Sequence, residues 1–125
     1  MTINDKLRKS KFRSSFKLSE KDKEYVRKKS LKTIEQHTKD FLNQRIKIKP
    51  KNDTKQTPFK GHPTFIAQHA TATCCRKCIQ NWYKIPKEKV LSDSEINYFK
   101  DIIMSWIKEE MNQSWLYKYL NKKLV

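Results

Sequence analysis

Glycine is almost absent from this sequence, since Gly61 is the single glycine among 125 residues. Loops that cradle phosphate groups need several glycines, so the sequence excludes a P-loop or a dinucleotide-binding loop. Long apolar runs are missing too, because no segment approaches the ~20 consecutive apolar residues that a membrane-spanning helix requires. The N-terminal segment also lacks the charged, apolar, small-residue order of a signal peptide. We therefore expect a cytoplasmic protein without a membrane partner.

Acidic residues are scarce as well, with 13 Asp and Glu against 29 Lys and Arg and a formal net charge of +16. The carboxylates are scattered, so a two-metal nuclease site would find few ligands. The basic residues are concentrated in residues 1–60, which hold 19 Lys and Arg but only 7 Asp and Glu. A field of this sign attracts nucleic acid or another polyanion. A solvated, lysine-rich surface without a specific partner is the alternative interpretation.

Helical spacing of apolar residues dominates the chain and predicts an all-α fold, a single compact domain of about five helices with an ordered central loop. Ser19 is a good N-cap and predicts a helix over 20–29. A second helix is expected from Leu31 to about Ile46, followed by a short strand-like alternation. Two prolines and the lone glycine predict the loop over 50–61.

The second half of the chain predicts three further helical stretches. Pro63 suits the first turn of a helix, and Thr73 could cap another helix that starts at Cys74. Ser92 and Glu95 form a capping box that opens a long helix with an apolar stripe. We accordingly divide the chain into a basic N-terminal arm, a helical core and an aromatic C-terminal helical extension, over residues 1–18, 19–110 and 111–125.

The chemistry-bearing residues cluster around three cysteines that lie within five positions. This spacing is a poor disulfide framework but offers thiolates for a tetrahedral metal such as zinc. We predict a metal site formed by His62, His69, Cys75 and Cys78, with Cys74 as a fifth ligand or a reactive thiol. Two alternatives remain open: the thiols pack as small buried groups, or a cysteine paired with His69 as base acts in a Cys/His-dependent enzyme.

The most direct interpretation is a basic nucleic-acid-binding module with a His/Cys centre, in which cations of the first sixty residues contact phosphates. The alternative is a phage or mobile-element protein-interaction factor, an inhibitor that occupies a nucleic-acid groove on a host enzyme. The predicted nucleic-acid contacts are the cations of the arm, of the first core helix and of the cysteine segment: Arg8, Lys9, Lys11, Arg13, Arg27, Lys28, Arg76 and Lys77.

A long motif gives the chain a resemblance to a known family. It comprises Gly61–His62–Pro63, the run from Ala67 to Arg76, and then Cys78, Trp82, Ile85 and Pro86. The chain resembles a small bacterial and phage family of uncharacterised domains, and the resemblance implies no known activity. Relatives often carry His followed by Gly after the tryptophan, where this chain has Tyr83 and Lys84. The tail from about residue 111 looks like an addition to the family core.

Overall fold

The computed structural model describes the backbone of residues 2–124 and the side chains of residues 2, 3 and 5–112. The described residues form helices and contain no strand, which confirms the all-α prediction, and five helices have eight residues or more. In chain order the helices are α1 (Ile3–Lys9), α2 (Lys11–Ser14), α3 (Glu20–Lys29), α4 (Leu31–Phe41), α5 (Pro63–Ala70), α6 (Arg76–Tyr83) and α7 (Asp93–Leu124), and a π-helical turn (Leu42–Ile46) continues α4.

Serine caps fix the starts of two helices where the sequence predicted them. Ser19 accepts a hydrogen bond from the Asp22 amide, and the Asp22 carboxylate accepts one from the Ser19 amide. Ser92 and Glu95 make the same reciprocal pair ahead of α7, at 3.2 and 2.8 Å. Each box satisfies amides that have no partner within the helix, so four residues are enough to set the boundary.

Two local predictions were wrong. The helix expected from Cys74 begins at Arg76, because the Cys75 side chain acts as the N-cap and accepts from the Cys78 amide. The strand-like alternation around Ile46 is not a strand: Ile46 is buried in the π turn, and Ile48 lies in a bend with its side chain exposed. The alternation of Ile46 and Ile48, which predicted a strand, therefore corresponds to one buried and one exposed side chain in a non-strand segment.

α7 is the main wall of the core. Its apolar side chains Ile96, Phe99, Ile103 and Ile107 are at most 2% exposed and pack with residues from α3, α4, α5, α6 and the π turn. Burial of each such side chain stabilises the fold by about 1.5–3 kcal/mol. All eight residues of α5 are buried, so this helix runs through the interior. Residues at its two ends therefore lie inside the protein.

Residues 2–18 are folded onto the core as α1, α2 and the segment that follows them. Leu7, Arg13 and Leu18 are buried, and the Leu18 amide donates to the Glu110 carboxylate on α7 at 3.0 Å. α7 continues without a break from residue 110 to residue 111, the predicted boundary between the helical core and the C-terminal extension. None of the described helices combines the length and the apolar character that crossing a membrane requires.

Candidate metal centre

The three cysteines converge at the start of α6. Cys74 and Cys75 lie in the turn before the helix, and Cys78 lies in its first turn. One sulfur from each is within 4.8 Å of the other two, and this is the single group of three potential metal ligands in the described part of the chain. Cys74 and Cys75 are buried, while Cys78 is half-buried. The cluster can therefore hold a metal ion.

A buried arginine from α2 faces this cluster. The Arg13 guanidinium donates from Nη2 to Cys78 Sγ at 3.1 Å and from Nη1 to Cys74 Sγ at 3.6 Å. Nη1 also donates to the His69 carbonyl at 2.8 Å. Arg13 is only 8% exposed, so its guanidinium is largely shielded from water. No carboxylate of the described residues lies within 4 Å of it. Since an unpaired buried cation is costly, this arrangement favours negative charge on the sulfurs.

The third sulfur also accepts a hydrogen bond, from the Cys78 amide to Cys75 Sγ at 3.3 Å. An amide at a helix N-terminus stabilises a thiolate through its partial positive charge. Hydrogen bonds from the Cys74 and Cys75 thiols lower the pKa of Cys78, and Arg13 adds to this effect. Hydrogen bonds to Cys75 and Cys78 raise the pKa of Cys74. The negative charge therefore resides first on Cys78.

His62, predicted as a ligand, lies elsewhere. Its Nδ1 accepts from the Thr64 amide at 3.0 Å and so caps α5, while its Nε2 lies 3.1 Å from Nδ1 of His37. Desolvation, together with the nearby His37, lowers the pKa of His62 to about 4. Both ring nitrogens are engaged in structural contacts, so this histidine is neutral near pH 7 and does not join the cysteines.

His69 is not part of the cluster either. Its Nε2 lies 3.1 Å from the carbonyl oxygens of both Thr57 and Pro58, which makes this nitrogen a donor. Desolvation lowers the pKa of His69, so the neutral ring is favoured. Among the described residues the structure therefore brings together the three cysteines, and it does not bring the two histidines of the predicted His2Cys2 set into that cluster. Spacing along the chain placed the histidines near the cysteines but did not show where their rings point.

The ordered central loop supports the turn that carries the cysteines. Thr57 Oγ1 donates to the Cys74 carbonyl at 2.8 Å. The Asp53 carboxylate accepts from the first two amides of α6, those of Arg76 and Lys77, at 3.1 and 3.0 Å. The Tyr83 hydroxyl donates to the Thr71 carbonyl at 2.6 Å. These bonds hold the backbone around the cluster from both sides.

Two of the predicted nucleic-acid contacts, Arg13 and Arg76, have buried side chains in the structure. Arg76 is fully buried and donates to carbonyl groups of Ile46, Lys47 and Pro86 at 3.1–3.4 Å. Arg13 faces the cysteines, as described above. Arg8 is exposed and paired with Glu109 on α7. The remaining predicted contacts are exposed and have no carboxylate within 4 Å in the part of the chain that the structure describes: Lys9, Lys11, Arg27, Lys28 and Lys77.

The role of Arg13 was missed, and no sequence signal could have revealed it. Arg13 is 61 residues before Cys74 and 65 before Cys78, so only the folded chain brings them together. In the sequence, Arg13 is one of several cations in the basic arm, and nothing distinguishes it from the others. Its burial separates it from those cations and assigns it to the cysteine cluster.

Comparison with known families identifies one family model that covers most of the chain. No solved structure matches the chain. A family model described as a domain of unknown function (DUF4186) matches residues 1–108, which include α1 to α6, the cysteine cluster and the first half of α7. Because this match covers most of the 125 residues, the chain belongs to the DUF4186 family.

Proposed function

We propose that this protein is a basic nucleic-acid-binding module whose three cysteines, Cys74, Cys75 and Cys78, hold a thiophilic metal ion, with zinc as the first candidate. The observation that carries the metal site is the buried Arg13 guanidinium, which meets sulfur atoms and no carboxylate in the described structure. A buried cation in that position requires anionic partners.

Charge balance favours a divalent ion. Three thiolates carry three negative charges, and a divalent cation leaves one of them uncompensated. The Arg13 guanidinium supplies the remaining positive charge. All three sulfurs also accept a hydrogen bond, from Arg13 or from the Cys78 amide. Such outer partners orient thiolate ligands and tune the metal. Zinc held by three protein ligands keeps its fourth position for water or another small ligand.

The nucleic-acid part of the proposal rests on charge and exposure. The net charge is +16, and the exposed cations Lys9, Lys11, Arg27 and Lys28 lie on three consecutive helices without carboxylate partners in the described structure. Lysine contacts phosphate as a point charge and releases counterions when it does so. The metal centre would then fix the turn before α6 without contacting the nucleic acid.

The metal site is tested by elemental analysis and thiol titration of protein purified without chelator or an affinity metal. We expect one zinc per chain and masked thiols. Arg13→Gln should weaken metal affinity by about 10–100-fold, the usual effect of removing an outer partner of a ligand. Arg8→Gln, which removes an exposed arginine of the same arm, is the matched control and should leave the affinity unchanged. No metal together with three freely titrating thiols would overturn the site.

Nucleic-acid binding is tested by titrating labelled DNA and RNA at several salt concentrations. The logarithm of the binding constant should fall linearly with the logarithm of salt, with a slope of about −0.7 to −0.9 per phosphate contacted. Lys9→Gln combined with Lys28→Gln should reduce the slope. An affinity that does not change between low and moderate salt would contradict the proposal, as would the absence of binding.

A further inference from the structure

Three aromatic rings lie nearly parallel beside the cysteine cluster. The Phe59 ring stacks on His69 with centroids 4.0 Å apart and planes 8° apart. Phe16 lies 5.4 Å from His69 at 20° and 6.3 Å from Phe59 at 19°. Phe12 meets Phe16 edge to face at 5.2 Å. We call Phe12, Phe16, Phe59 and His69 the aromatic platform.

The platform is open to solvent on one side. Phe59 is 62% exposed although His69 covers one of its faces, so the opposite face is accessible, and Phe12 is 55% exposed. By contrast, Phe99 is fully buried in the core. Two exposed phenylalanines, 47 positions apart in the chain, both meet Phe16 and form one aromatic surface. The open face of Phe59 is its flat part, and Phe12 lies at its edge with its ring nearly perpendicular to that of Phe16. Such a surface fits a flat aromatic ligand.

Positive charge borders this surface. Lys11 and Lys60 are the chain neighbours of Phe12 and Phe59, and both are exposed with no carboxylate within 4 Å in the described structure. The combination of accessible aromatic faces and unpaired cations is typical of surfaces that bind single-stranded nucleic acid, because bases stack on the rings while lysines contact the phosphates. Bases in a duplex are already stacked and cannot use it.

The surface is also held in place before any ligand binds. The carbonyl groups of Thr57 and Pro58 fix the His69 ring, and Arg13 donates to the His69 carbonyl. The Arg13 guanidinium also lies 4.9 Å from the centroid of the Phe12 ring. A rigid surface loses little conformational freedom on binding, which favours affinity. Arg13 thus connects the aromatic platform to the cysteine cluster.

We propose that the aromatic platform binds unpaired bases of single-stranded nucleic acid, with a base stacked on the open face of Phe59. The inference rests on the nucleic-acid-binding function proposed above and names its substrate class. Stacking of one base on an aromatic side chain changes affinity by roughly 5- to 150-fold. Removal of the Phe59 ring should therefore weaken single-strand binding by a factor in this range and leave duplex binding unchanged.

The experiment compares a labelled oligothymidylate with a duplex of equal length by fluorescence anisotropy, using the full chain. Phe59→Leu keeps an apolar side chain but removes the stacking face, and we expect it to lose single-strand affinity. Phe59→Tyr keeps the face and should retain affinity. Ile48→Ala is the matched control, since Ile48 is 65% exposed, and should bind like the unaltered protein. Thermal unfolding of each variant shows that the fold is intact.

The outcomes separate the two proposals. A preference for the single strand that Phe59→Leu abolishes and Phe59→Tyr preserves supports the platform. Salt-dependent binding that is equal for single strand and duplex, and equal in all variants, overturns the platform while the general nucleic-acid-binding function stands. If the unaltered protein binds neither ligand, both proposals fail, and a protein partner becomes the next candidate for the exposed phenylalanines.

Discussion

At the scale of single residues, His62 gives the clearest pH dependence. Its neutral ring accepts from the Thr64 amide, and burial next to His37 lowers its pKa from 6.5 to about 4. Asp22, the nearby carboxylate, acts in the opposite direction. Between pH 6.5 and about pH 4, His62 is therefore protonated in the unfolded chain but neutral in the folded protein. The contribution of His62 to the free energy of unfolding should therefore be at its maximum above pH 6.5. It should decrease as the pH falls toward 4.

The expected loss from His62 over this interval is about 3 kcal/mol, since each pH unit corresponds to 1.36 kcal/mol. Urea unfolding at a series of pH values measures it. His62→Asn is the informative variant, because asparagine can still cap α5 but does not titrate. Its stability should depend less steeply on pH from 6.5 to 4 than that of the unaltered protein. Equal slopes would show that His62 is not the titrating group.

The same histidine shows the limit of sequence-based site prediction. The sequence pointed to the segment that carries the cysteine cluster, because cysteine and histidine are rare and lie close together there. It could not show that His62 caps its own helix or that His69 faces the Thr57 and Pro58 carbonyls. The His69 contacts depend on how the central loop folds over α5. Arg13 was beyond reach for the same reason, since its contacts with the cysteines span more than sixty residues.

At the scale of helices, the sequence predicted starts better than ends. The caps at Ser19 and Ser92 are complete within four residues, so local sequence was sufficient. The start of α6 was misplaced because cysteine at position 75 fills a capping role that serine or threonine usually has. The end of α6 could not be predicted in the same way. Glycine usually marks the left-handed residue that ends a helix, but lysine occupies this position here.

Lys84 ends α6 in the left-handed conformation, with φ 62° and ψ 30°, and its amide donates to the Gln80 carbonyl at 3.1 Å. Glycine adopts this conformation without the clash of a Cβ atom. Lys84→Gly should therefore raise the free energy of unfolding by about 0.5–1 kcal/mol, as measured by urea denaturation.

The matched control for this substitution is Lys28→Gly. Lys28 is an exposed residue of α3 with helical backbone, where glycine lowers stability by about 0.5–1 kcal/mol relative to alanine. The two lysine-to-glycine changes should thus have opposite signs. A loss of stability at both positions would mean that the lysine side chain at 84, whose Nζ donates to the Asn81 carbonyl, contributes more than the backbone strain costs.

At the scale of the whole molecule, the proposed metal couples to folding. The unfolded chain does not hold Cys74, Cys75 and Cys78 in one cluster with Arg13, so a metal ion binds the folded state preferentially. At a free metal concentration 100 times the dissociation constant, the fold should gain about 2.7 kcal/mol. Thermal unfolding with added zinc and with a chelator measures this gain as a shift of the melting temperature.

Cys75→Ser provides the control for this shift. Serine can still cap α6, but its hydroxyl is a poor zinc ligand, so the variant should melt at nearly the same temperature with and without zinc. The unaltered protein should melt at a higher temperature with zinc. Identical melting of the unaltered protein in zinc and in chelator would contradict a metal site and leave the cluster as a set of thiols around Arg13.

The buried Arg76 has a consequence for how the molecule opens. Its guanidinium joins the end of the π turn to Pro86, and the Leu91 amide donates to the Lys47 carbonyl at 3.0 Å. Segments tied to one buried side chain cannot separate one at a time without leaving its donors unpaired. Hydrogen exchange at the amides of Ile79 and Leu91 should therefore report a single cooperative opening with one free energy.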